Sequence, residues 1–190
     1  MTPASTDALI VVDPQNDFLP GGTLAVAEGE RIFAPVNAVM PSFEHVYATR
    51  DWHPENHRYF SKFGGPWPLH CLQNTRGAEF SQHLQTQLID EVVSKGVDPE
   101  TDGYSGFAGT DLAARLREQG VRRVFVCGLA TDYCVKATAI EAIKNGFEAL
   151  VLTDAIAAVN VKPEDEAAAL DAMRASGVEL ITTSQIRRTR

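Results

Sequence analysis

The stretch Val124-Phe-Val-Cys-Gly-Leu-Ala-Thr-Asp-Tyr-Cys134 runs from an apolar, β-branched strand through Gly128 into the start of a helix. An apolar run this short and continuous, bounded by turn residues, suits a strand buried on both faces. The helix that follows spans 133–145, with Val135, Ala139, Ile140 and Ile143 on one stripe and Gly146 as its stop. A strand feeding directly into an amphipathic helix is the unit of α/β proteins. Cys134 falls in the first helical turn, where the dipole favours thiolate and backbone N–H groups have no helical partner.

Working outward, further β-rich runs lie at 9–12, 45–49 and 149–152, with candidates at 88–93 and 178–182. Helical patterns lie between them at 30–43, 110–119 and 163–176, the first with Pro35 inside it. This alternation predicts an α/β fold, a doubly wound three-layer sandwich around a central, mostly parallel sheet. The length of 190 residues suits one domain over 1–190.

Two segments break the alternation, 50–77 and 96–109, both long for loops. Long loops in a small domain tend to carry function, and in open α/β sheets the ligand crevice lies at the carboxyl ends of strands. Three chemistry-bearing residues fall at such ends: Asp13 after the first strand, Lys95 after the 88–93 run, and Cys134. Singly, each has an ordinary reading as a turn former, a solvated strand end or a packed thiol. Together they are a base, an orienting charge and a nucleophile.

The segment Arg50-Asp-Trp-His-Pro-Glu-Asn-His57, with Trp67-Pro-Leu-His70 after it, concentrates three of the five histidines in one loop. In extended chain Asp51 and His53 point the same way. A carboxylate with imidazoles suits zinc, iron or manganese. The competing reading is a turn-forming Asp51 among surface histidines. His45 and His83 read as ordinary strand and helix residues. Cys71 and Cys127 read as packing, and Phe18, Trp67 and Tyr104 lie in crevice-facing segments where they could clasp a flat ring or pin the loops.

Composition narrows the classes further. Seventeen basic against 25 acidic residues leave a formal net charge of −8, which argues against nucleic acid as partner. The N-terminus lacks a signal pattern and no apolar stretch is long enough to span a bilayer. Three unspaced cysteines read as reduced thiols, so the expected setting is cytoplasmic. Arg187–Arg190 reads as a solvated tail. No G-x-G-x-x-G follows the first strand, against a dinucleotide-binding dehydrogenase.

The stretches VVDPQNDFLPGG (11–22), ATRDWHPENH (48–57), WPLHC (67–71), VSKGVDPETDGYSGF (93–107) and GLATDYCV (128–135) resemble, in order, the nicotinamidase/pyrazinamidase family of the isochorismatase-like cysteine hydrolases. The resemblance implies a catalytic triad of Asp13, Lys95 and Cys134, and metal ligands Asp51, His53 and His70, with His57 a further candidate. It implies an oxyanion hole from the backbone N–H groups of Ala130 and Cys134, with the Leu129–Ala130 peptide cis. Phe18, Trp67 and Tyr104 would line the ring pocket. The implied partner is a small pyridine carboxamide, the implied cofactor one divalent metal ion, zinc before iron or manganese, and the assembly a monomer or homodimer. The competing functions are hydrolysis of another small amide or carbamoyl compound, and non-catalytic metal or ligand binding on the same scaffold.

Overall fold

The computed structural model describes residues 1–187, so all but Arg187 of the expected C-terminal tail lies outside the described residues. Its core is a six-stranded sheet, entirely parallel, built from β1 (Asp7–Val12), β2 (His45–Asp51), β3 (Glu91–Lys95), β4 (Arg123–Leu129), β5 (Glu148–Ala157) and β6 (Glu179–Ile181). The spatial order is β3-β2-β1-β4-β5-β6, so the chain reverses its direction of travel across the sheet between β1 and β4. That is the strand order of dinucleotide-binding proteins, present here without their glycine fingerprint.

Strand alternation sorts the core into two layers. Leu9 and Val11 of β1 face one side, with Phe33, Val36 and Val39 of α1 (Phe33–Val39) and loop residues such as Cys71 and Ala78. Ala8, Ile10 and Val12 face the other, under α2 (Leu112–Glu118), α3 (Lys136–Lys144) and α4 (Asp165–Ala175), which contribute Leu112, Leu116, Ala139, Ala142 and Met173. Each fully buried Leu, Ile or Val side chain contributes roughly 1.5–3 kcal/mol, so the central strands carry much of the stability.

Several expected elements differ in detail. The run expected at 88–93 begins as a strand only at Glu91, because Thr86–Leu88 forms a 3-10 turn and the Asp90 carboxylate caps the Val46 N–H. The helix expected at 30–43 is α1 flanked by 3-10 turns at Gly29–Ile32 and Met40–Ser42. Pro35 has no N–H and is tolerated only in the first turn, and Pro41 ends the helix in the same way. His83 lies in an irregular turn, not on a helix.

The most consequential departure is at 131–135. The Leu129–Ala130 peptide is cis, as the resemblance implies, but Thr131–Val135 forms a single π turn before α3, the N–H groups of Tyr133 and Val135 both donating to Ala130 O. Gly128 makes this junction possible. Its φ is +110°, and a Cβ there would lie 2.1 Å from Val12 O, so only glycine lets β4 press against the end of β1.

A candidate active site at the reversal of the sheet

At the carboxyl edge of the sheet, Asp13 follows β1, Lys95 ends β3 and Cys134 sits in the π turn after β4. All three are buried. Lys95 Nζ is the hub: it lies 2.7 Å from Asp13 Oδ2, 2.6 Å from Asp51 Oδ1 and 3.4 Å from Cys134 Sγ, and it donates to Gly103 O at 2.9 Å. Burial opposes the lysine charge, but Asp13 and Asp51 outweigh it and hold its pKa well above the usual value.

Asp13 adopts φ +47°; its Oδ1 accepts from the Thr49 hydroxyl at 2.7 Å. Oδ2 is ion-paired with Lys95 but receives no hydrogen bond of good geometry, leaving acceptor capacity beside the thiol. Burial raises the Asp13 carboxyl to about 6, against the lowering pull of Lys95. Burial also pushes the Cys134 thiol well up, with Lys95 pulling down and Asp13 and Asp51 adding to the rise. The thiol therefore rests protonated next to a carboxylate that is ionised at neutral pH.

The second cluster shares Asp51. His53 Nε2 and His70 Nε2 lie 3.5 and 3.9 Å from Asp51 Oδ2, while Oδ1 of the same carboxylate holds Lys95. The other ring nitrogens face backbone carbonyls, His53 Nδ1 at 3.0 Å from Gly96 O and His70 Nδ1 at 2.8 Å from Pro68 O. A carbonyl can only accept, so Nδ1 donates in each ring, and Asp51, His53 and His70 each offer a ligand atom within 4.8 Å of the others, the arrangement of metal-binding histidines. Gly96 is required here, since a Cβ would meet the His53 ring at 2.3 Å.

His57 packs its ring 4.2 Å from that of His53, and its Nε2 is buried without a hydrogen-bond partner. Burial, reinforced by His53, lowers it to about 4, so it is neutral and competent as a ligand at pH 7. A buried unpartnered imidazole nitrogen beside a carboxylate and two oriented imidazoles fits a divalent cation. Asp13, Asp51 and Cys134 also lie within 4.8 Å of one another, but the Lys95 ammonium already occupies the middle of that group.

The two clusters open onto one cleft, whose walls include Phe18, Trp67, Tyr104, Ala130 and Cys134. Tyr133 was not anticipated. Its ring meets Trp67 edge-on at 4.9 Å and lies 5.7 Å from Tyr104, while Trp67 Nε1 donates to Tyr104 OH at 2.9 Å. The available signal was its place one residue before the thiol, in a first turn that faces the crevice. Leu24, Tyr59 and Val159 also line the cleft. Val159 is brought in by Asp132, whose carboxylate accepts the Val159 and Asn160 N–H groups at 3.0 and 2.9 Å, a contact between turns that no local pattern announces. Cys71 and Cys127 are buried in the core, away from the cleft walls.

A model of the isochorismatase domain matches residues 7–185. The nicotinamidase/pyrazinamidase of Mycobacterium tuberculosis is 41% identical over 188 residues, covering 93% of this chain and 99% of that protein. The nicotinamidase of Escherichia coli is 38% identical over 200 residues, covering 92% and 94%. Among solved structures, PnC1 from L. infantum in complex with nicotinate superposes with a TM-score of 0.94 at 43% identity, covering 100% of this chain and 99% of that one. The pyrazinamidase of Pyrococcus horikoshii in complex with zinc gives 0.86 at 50% identity, covering 93% and 99%.

Proposed function

The chain belongs to the isochorismatase family, and from that premise we propose that it is a nicotinamidase, hydrolysing nicotinamide to nicotinic acid and ammonia, with pyrazinamide as a second substrate. The observation that carries the reading is the convergence of Asp13, Lys95 and Cys134 around one ammonium, sharing Asp51 with a metal-competent cluster. Relatives named for this activity cover most of the chain at 38–41% identity.

The reaction proceeds by acyl transfer. Asp13 Oδ2 accepts the Cys134 thiol proton and becomes a neutral acid, and Lys95 stabilises the resulting thiolate. The thiolate attacks the carboxamide carbon, and the tetrahedral oxyanion is held by the N–H groups of Ala130 and Cys134. The C–N bond breaks, Asp13 returns its proton to the nitrogen, and ammonia leaves. Water then attacks the thioester with Asp13 again as base, the C–S bond breaks, and nicotinic acid departs from the regenerated thiol.

Asp51, His53 and His70 would hold the divalent metal, with His57, whose Nε2 is buried and unpartnered beside them, a further candidate. When bound, it supplies a Lewis-acid site for the pyridine nitrogen and so orients the ring, rather than generating the nucleophile. Zinc is our assignment, since these donors suit it and the Pyrococcus horikoshii relative is in complex with zinc. Phe18, Trp67, Tyr104 and Tyr133 enclose the flat ring. We assign the reaction to salvage of the pyridine ring for NAD synthesis. Three free cysteines support a reducing, cytoplasmic setting.

The test is ammonia release from nicotinamide by the zinc-loaded protein, with Cys134→Ala alongside. Release is expected from the parent and a loss of roughly 10³-fold or more from the variant. A zinc-loaded parent that releases none would point to another small amide. Turnover surviving in Cys134→Ala would remove the thioester mechanism.

A further inference from the structure

We infer that Gln15 is a positioning residue for the metal centre, its side-chain amide standing in for a missing strand neighbour and holding Asp51 in place. The β1–β2 ladder ends at the pair Val11 and Ala48, so the last residues of β2 run past the end of β1. One backbone contact follows, from the Asp13 N–H to Thr49 O at 3.2 Å. Asp51 itself is paired with Lys95 of β3 on one side only.

On the open side lies the Gln15 amide, which is completely buried. Its Oε1 accepts the Asp51 N–H at 2.8 Å and its Nε2 donates to Asp51 O at 2.8 Å, the two bonds a neighbouring strand would make. The second Nε2 hydrogen goes to Ala78 O at 2.9 Å, tying in the loop that packs below. A primary amide is the one side chain chemistry that reproduces a peptide group in both directions.

The consequence reaches the metal through Asp51. One of its carboxylate oxygens faces His53 and His70 and the other holds Lys95, so its backbone must be fixed for both to be aimed. Groups that orient a metal ligand typically change metal affinity 10–100-fold when removed. The inference rests on the metal reading given under Proposed function and adds a residue that touches neither metal nor substrate.

The experiment strips the protein with a chelator and titrates it with Zn²⁺ against a chromophoric competitor, well below the melting midpoint. Gln15→Met keeps the length and loses the hydrogen bonds; Gln15→Asn keeps the amide one methylene short. Both are expected to bind zinc about 10–100-fold more weakly than the parent. Binding within twofold of the parent by either folded variant would overturn the inference, and Gln15→Asn decides if Gln15→Met does not fold. Independently, the Asp51 amide of the stripped parent should exchange its hydrogen slowly, and fast exchange would equally overturn it. A parent that binds zinc but releases no ammonia from nicotinamide would sink the proposed substrate while leaving Gln15 in its role.

Discussion

Lys95 is the residue on which the site turns. It is fully buried among two carboxylates and a thiol, so its charge has no solvent to fall back on. Removing one member of a buried ion pair leaves the others uncompensated and typically costs about 3–5 kcal/mol. Lys95→Met should therefore lower stability by that order in urea titrations as well as abolish turnover, and a midpoint unchanged from the parent would show that the network is worth far less. Asp13 sets the pH response. Burial raises its pKa to about 6, so below that value it is protonated and cannot take the thiol proton. The ratio kcat/KM should fall about tenfold per pH unit below 6. A profile that stays flat down to pH 4.5 would remove Asp13 as the base.

Among the elements, the junction of β1 and β4 does the positioning. Gly128 allows the close approach, and the π turn that follows places Cys134 and Tyr133 on the cleft. Gly128→Ala combines a backbone clash with a positive φ, and should destabilise by roughly 3 kcal/mol or more. Measured by denaturant unfolding, a loss under 1 kcal/mol would mean that the strand ends can part more easily than this packing suggests. Asp132 works between elements in a different way, binding the loop that brings Val159 to the cleft. Asp132→Ala should raise KM for nicotinamide with less effect on kcat, because it loosens a wall of the pocket rather than the triad.

For the whole molecule, the ligand set comes from one long segment, from Asp51 at the end of β2 to His70, and only the folded chain holds that segment in the geometry that brings the ligands together. Metal bound to such a site stabilises the native state by mass action. Zinc at about 100 times its Kd should add about 2.7 kcal/mol to unfolding. A chelator should reverse this, and a melting midpoint indifferent to both would argue against a site that exists only on folding.

Much of this was legible in the chain itself. Apolar runs at 9–12, 45–49, 124–126 and 149–152 are strands because a residue buried on both faces must be apolar, and that constraint is local. The Asp51-x-His53 spacing and the thiol at a strand-to-helix junction are likewise local statements of chemistry, though the π turn that holds Cys134 is not. What they could not contain is convergence. The start of β3 at Glu91, the reversal of the sheet between β1 and β4, and Lys95 reaching Asp13, Asp51 and Cys134 together all depend on which strands become neighbours. Gln15 and Asp132 were silent in sequence for the same reason: their partners are backbone groups 36 and 63 residues away for Gln15 and 27 and 28 for Asp132, and a backbone N–H or carbonyl is the same at every position until the tertiary fold brings it within reach.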